Sequence, residues 1–313
     1  MVKKFLDLDL NLGMFVVVVG LASLNILPLH ILTFASQNLN QTEIYSMDNV
    51  TNYNNLLTLK ILANNLQNRL RDAAVVMEIT ANSPGIRSTP EASLLNSTLE
   101  IFHGIPLDSD LQKRRIAQSI ISNYPDIAGI AFIMPNGNTC FLEPNSLQRN
   151  QTKDNLAYRD YFKGATATNN TYSGDIITST ASGLKRAVIA VPVYSETDEG
   201  GLTGIWVGSI DLGILNKELQ SLNLKGGQRI VFVDSNDTKI ADSDKRFSLN
   251  RDESFSHLKS FQNGIKGDFG STVEEVNQEK KLVSYYPVEA LQNRWVVLWM
   301  KPVASVSGGW VLP

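Results

Sequence analysis

Between residues 43 and 81 the chain has no proline or glycine, and apolar residues return at alternating steps of three and four: Leu56, Leu59, Ala63, Leu66, Leu70, Ala73 and Met77. That spacing lays one apolar stripe along a helix. Ile61, Leu62, Val75, Val76 and Ile79 widen the stripe in its second half. Ser83-Pro84-Gly85 ends it, because proline removes a backbone donor and glycine frees the chain. One core helix would explain the stripe. The length also suits a stalk that spans two stacked modules and pairs with a second copy. Residues 108–123 predict a shorter helix, with Leu111, Ile116, Ile120 and Ile121 inward and Lys113, Arg114 and Arg115 outward.

The period then changes. Residues 127–134 read as a strand, Pro135-Asn136-Gly137-Asn138 as a turn and 139–142 as a second strand, a hairpin by its turn chemistry. Runs at 172–179, 186–194 and 202–212, broken at Ala181-Ser182-Gly183 and at 197–201, complete one antiparallel sheet. A second set begins at Gln228, after a helix at 213–221 and the Gly226-Gly227 turn. Phe132-Ile133-Met134-Pro135-Asn136-Gly137 is echoed one hundred residues later by Phe232-Val233-Asp234-Ser235-Asn236-Asp237. Residues 187–193 are echoed by 282–288, and the runs 204–212 and 294–301 close each set. Both matches in order predict two modules of one design, each a hairpin, a helical insert and three antiparallel strands.

At 313 residues there is room for two such modules. Lys+Arg 28 against Asp+Glu 31 leaves a formal charge of -3, with no basic block, which argues against nucleic acid as a partner. Lys3 and Lys4 precede residues 12–34, which carry no formal charge. The ~20 apolar residues that a membrane span requires are therefore available, and the lysines put the N-terminus in the cytoplasm and the rest outside. A cleaved signal peptide ending near Thr33-Phe34-Ala35 is the competing reading. Asn-x-Ser/Thr at Asn40, Asn49, Asn96, Asn150, Asn169 and Asn236 matters only on an exported chain. The lone cysteine, Cys140, rules out an internal disulfide and reads as a buried small hydrophobe. The boundaries expected are a cytoplasmic start and membrane anchor at 1–35, a stalk at 36–83, one module at 84–225 with its sheet near 127–212, a second at 226–302, and at 303–313 the start of a further segment.

Tyr158-Arg159-Asp160-Tyr161-Phe162-Lys163-Gly164-Ala165 stands between the hairpin and the three strands. A guanidinium is a planar fork of donors for a carboxylate, and neighbouring rings supply apolar walls. The same residues also suit a core with Tyr161 and Phe162 buried and Arg159 as a structural ion-pair partner. No nucleophile elbow, zinc helix or phosphate-cradling loop occurs, and His30, His103 and His257 are scattered, so no metal, cofactor or catalytic residue is expected. Asp234 and Asp242 are the carboxylates that folding would have to bring together for an exported hydrolase; turn chemistry is their simpler reading. A surface interaction module with no small ligand is a third class, and it requires solid packing beside Arg159.

The anchor, long helix, tandem PAS-like modules and the runs "YRDYFKGA", "AVPVY" and "GIWVGSIDL" together resemble the double Cache family of extracellular sensor domains, over roughly residues 43–302. The resemblance implies an α+β fold and a chemoreceptor or sensor-kinase receptor whose membrane-distal module binds a small ligand while the proximal one relays the signal. In the amino-acid-binding subgroup an arginine holds the ligand carboxylate, and Arg159 falls on it. Tyr161 and Phe162 fall on the aromatic pair that follows. Asp154 and Ile177 stand where tyrosines are expected, and Ser209 where an aspartate receives the amino group, with Asp211 two residues on. The expectation is a small carboxylate on Arg159, walled by Tyr161, Phe162 and Tyr172, with Thr178, Ser179, Ser209 and Lys185 or Arg186 as further polar contributors.

Overall fold

A computed structural model describes residues 41–196, 200–247 and 253–303. The expected anchor at 12–34 and the tail at 304–313 lie outside them. Among the described residues no helix is long and apolar enough to cross a membrane. The chain divides into Met1–Ser46 and Met47–Pro313, and the packing below is that of the second unit.

The three-four stripe folds as one helix, α1 (Gln41–Ala81). Leu59, Ala63, Leu66, Leu70, Ala73 and Met77 are all buried, as the period requires. Short helices α2 (Pro84–Arg87) and α3 (Leu95–Phe102) lead to α4 (Leu111–Asn123). Here the structure departs from the amphipathic reading. Leu111 is exposed, whereas Lys113 and Arg114 are almost wholly buried. Arg114 donates to Glu143 at 2.5 Å, to Gln148 and to the carbonyls of Ser109, Ile105 and Pro106, with Phe141 under its guanidinium. Lys113 reaches Ser88 and Asp110. Buried cations persist only with such partners, and Glu143 lies too far along the chain for helical periodicity to announce it.

The first sheet holds β1 (Ile127–Ile133), β2 (Thr139–Glu143), β3 (Tyr172–Ser173), β4 (Ile177–Thr178), β5 (Lys185–Tyr194) and β6 (Leu202–Asp211). Its order is β2-β1-β6-β5-β3, with β4 also on β5, all antiparallel. Helices α5 (Asn145–Arg149) and α6 (Asp160–Thr168) lie between β2 and β3, and α7 (Leu212–Ser221) leads out. The second sheet, β7 (Arg229–Val233), β8 (Lys239–Asp242), β9 (Gly270–Val276), β10 (Glu279–Ala290) and β11 (Asn293–Pro302), has the order β8-β7-β11-β10-β9, with α8 (Lys259–Lys266) inserted. With β3 and β4 counted as one edge, the two orders are the same once each sheet is numbered from its own hairpin. Both hairpins even shift register at equivalent points, Phe132/Ile133 and Phe232/Val233. The run 172–179 is not one strand: Gly174 to Ile176 leave the sheet between β3 and β4.

Alternation along the strands gives each sheet two apolar faces. Ile130, Phe132, Ile189, Trp206 and Ile210 join Ile230, Phe232, Trp295 and Val297 in one core continuous with α1. The helix touches both sheets. Trp206 donates to Thr80 at 3.0 Å, Lys301 to Asn55 at 2.5 Å, and Ser271 bonds Asn52. The opposite faces carry separate clusters: Ala131, Ile133, Leu156, Tyr161, Phe162, Ala165, Val188, Ala190, Ile205 and Val207 in the first sheet; Val231, Phe255, Leu258, Phe261, Tyr285, Leu298 and Met300 among those in the second.

Candidate ligand-binding site

Over the α6 face of the first sheet lies a cavity of about 60 Å³, room for a few waters or a small solute. The sheet supplies Gly129, Ala131, Leu142, Val188, Val207 and Ser209; α5 and the loop after it supply Leu147, Gln151 and Leu156. Arg159, Tyr161, Ile177, Ser179, Thr180 and Ala181 close it. Extended backbone at Arg159 starts α6, so Arg159 and Tyr161 come to the cavity from the helix's first turn. No carboxylate lines the cavity.

Arg159 is half-buried. Its Nη2 donates to the Thr178 carbonyl at 2.8 Å, and its guanidinium lies 4.9 Å from the centre of the Tyr158 ring. Its Nε is buried without a hydrogen-bond partner, and no carboxylate among the described residues forms an ion pair with it. A buried donor left unsatisfied costs about 1–3 kcal/mol, more when charged. Tyr161 is buried, and that burial pushes its phenol well above the usual tyrosine range, so it faces the cavity as a neutral group. Ser179 Oγ accepts from the backbone of Ala181 and Ser182, holding the turn over the cavity.

Of the residues expected at the site, Arg159, Tyr161, Ile177, Ser179 and Ser209 are brought together here. Phe162 does not line the cavity; it is buried in the apolar cluster of that sheet face. The Tyr172 ring packs on Gly164, where an added Cβ would come within 2.5 Å of it. Thr178 turns its side chain to solvent and contributes its carbonyl. Asp211 is spent elsewhere: it caps α7 by accepting from Gly213 N at 2.8 Å and pairs with Arg186. Asp154 pairs with His103 at 2.9 Å. Asp234 and Asp242 are not juxtaposed for catalysis. Asp234 accepts backbone N–H groups of its own turn and of Ile176, and Asp242 is locked to Arg229. Sequence reasoning missed Leu142, Leu147, Gln151, Leu156 and Thr180. Gln151, buried and donating to Thr139 and to the Lys153 carbonyl, sits in a loop with no periodic signal.

Comparison with curated proteins gives no match. Solved structures match in fold. The ligand-binding domain of the Pseudomonas fluorescens chemoreceptor CtaA, in complex with L-isoleucine, aligns at 13% identity and TM-score 0.57 over 83% of this chain and 96% of that one. The sensory domain of the Campylobacter jejuni chemoreceptor Tlp3 (CcmL), with isoleucine bound, aligns at 15% and 0.57 over 85% and 98%. The extracellular domain of a putative histidine kinase, rpHK1S-Z16, aligns at 18% and 0.61 over 85% and 99%. A family model described as Cache domain matches residues 35–310. Two repeated antiparallel sheets on one long helix, with this match across nearly the whole length, mean that the chain belongs to the Cache domain family.

Proposed function

We propose that this chain is the extracytoplasmic sensing region of a membrane-anchored receptor of the chemoreceptor or sensor-kinase type, and that it binds a small carboxylate-bearing metabolite in the cavity beside Arg159. The observation that carries this reading is the buried, unpartnered Nε of Arg159 at a cavity with no carboxylate of its own. A ligand carboxylate would satisfy that donor in a charge-assisted bond. Similar folds in chemoreceptors hold L-isoleucine, but an ammonium here would have no anionic partner to offset its desolvation. The reading therefore favours an acid without an amino group. An interaction module without a ligand would be packed solid beside Arg159, and the cavity speaks against it.

In this reading residues 84–225 form the membrane-distal module and 226–302 the proximal one, with the anchor at 12–34 and the stalk in α1. Tyr53, Leu57 and Ile61 are exposed on α1 and supply an apolar strip for pairing with a second copy. The test is a thermal-shift scan of the chain against acids, amino acids and amines, since a ligand that binds the native state raises its melting temperature. A carboxylate hit is expected, and Arg159→Ala should weaken it by at least about tenfold. A hit whose affinity ignores Arg159→Ala would overturn the assignment.

A further inference from the structure

Six residues, Ser173 to Thr178, lie between the cavity and the second sheet and are held from both sides. On the inner side, Thr178 O accepts from Arg159, and Ile177 lines the cavity. Asp175 N donates to Asp160, the first residue of α6. Gly174 sits so close to this turn that an added Cβ would lie 2.8 Å from the Asp160 carboxylate oxygens and 2.9 Å from Tyr161 Cβ. On the outer side the grip comes from two turns of the second sheet. Between β10 and β11, Gln292 accepts from Ser173 N at 3.0 Å and donates to Thr171 O at 2.5 Å, while Asn293 donates to Ser173 O at 2.8 Å. Between β7 and β8, Asp234 accepts from Ile176 N at 3.4 Å and is itself fixed by Asn236 N and Thr238 N.

We infer that Asp234, Gln292 and Asn293 are positioning residues for the cavity: through the strap 173–178 they set where Thr178 O holds Arg159, and the same strap carries a change at Arg159 to the second sheet. One hydrogen-bonded residue separates the Asp234 contact at Ile176 from the Arg159 contact at Thr178. A ligand that engages Arg159 Nε would pull on the guanidinium whose Nη2 is tied to the strap, and linkage requires the effect to run equally in reverse. For a ligand, this rests on the carboxylate reading above. For the chain alone it does not.

The test is amide hydrogen exchange on the unliganded full chain, comparing wild type with Gln292→Ala, Asp234→Asn and Arg159→Ala. Gln292 is exposed, so its truncation leaves the fold intact. Asp234→Asn keeps one oxygen for the turn and turns an NH₂ toward Ile176, and it removes a charge that burial already disfavours, against the pull of three backbone N–H groups. Gln292→Ala and Asp234→Asn should each speed exchange about tenfold in the strap and in the first turn of α6, the cost of roughly one hydrogen bond. The β1–β2 hairpin should not change. Arg159→Ala should speed exchange at residues 234–238. Faster exchange confined to the mutated turn, with α6 unmoved, would overturn the strap and leave the carboxylate reading standing. A failed metabolite scan with a responsive strap would do the reverse.

Discussion

At the scale of single residues, the buried titratable groups separate into those that are inert and those that tie stability to pH. Cys140 is fully buried, and desolvation pushes its thiol up to about 12. A maleimide or disulfide reagent should leave it unmodified in the native chain and label it in denaturant, since the thiolate is the reactive form. In the second sheet Arg229 donates to Asp242 and, at 2.5–2.6 Å, to Glu253, with Lys239 alongside and the Phe247 ring 3.8 Å below the guanidinium. Burial would lift the Glu253 carboxyl, but hydrogen bonds and charge from Arg229, then Lys239, hold it below the usual glutamate range. At this carboxyl the native state thus holds fewer protons than the unfolded one. Its contribution is present above the unfolded value near ~4.3 and is lost as pH falls through the lower folded value. Glu253→Gln should flatten the acid limb of melting temperature against pH, below about pH 4.3, as followed by circular dichroism.

At the scale of elements, α1 was legible because its three-four stripe is what a helix needs to cover a sheet, and the hairpins were legible because their turns carry Gly137 and Asp237 at positive φ. Two features were not. Lys113 and Arg114 look like a solvated face until Asp110, at the start of their own helix, takes Lys113 and Glu143 arrives on Arg114 from β2. The run 172–179 has the β-branched and aromatic composition of a strand, but contacts with Asp160 and Asp234 draw its middle off the sheet. Of the site, Arg159 and Tyr161 could be read from adjacency. Leu142, Leu147 and Leu156 could not, since core and cavity-lining leucines look the same in a sequence. The helix makes its own prediction. Leu70 is 1% exposed, and Leu70→Ala should destabilise the chain by about 2–5 kcal/mol, read as a lower midpoint in urea. Nearby, Gly208 of β6 gives Met77 its seat: an added Cβ would stand 2.8 Å from the Met77 sulfur.

At the scale of the whole molecule, one strand plan is used twice with different fillings. Ala131, Val207 and Ala190 sit across β1, β6 and β5, and the equivalent positions of β7, β11 and β10 hold Val231, Leu298 and Tyr285. Larger side chains, together with Phe255, Phe261 and Met300, fill the second sheet's outer face, while in the first Ala131 borders the cavity. The weak sequence echo was enough to find the shared plan, and it was silent on this difference because packed volume, unlike strand order, depends on every neighbour. Ala131→Val should fill the cavity: the melting temperature without ligand should hold or rise, and the ligand-dependent rise should vanish.

The continuity of α1 with both sheets has a thermodynamic consequence. The residues that α1 buries belong to a single apolar mass drawn from both halves of the molecule, so neither half keeps a finished interior once the helix leaves. Melting should then be all-or-none: calorimetric and van't Hoff enthalpies should agree, and near- and far-ultraviolet signals should trace one curve. A chain built this way cannot lose its first sheet and keep its second, since the two share one fate.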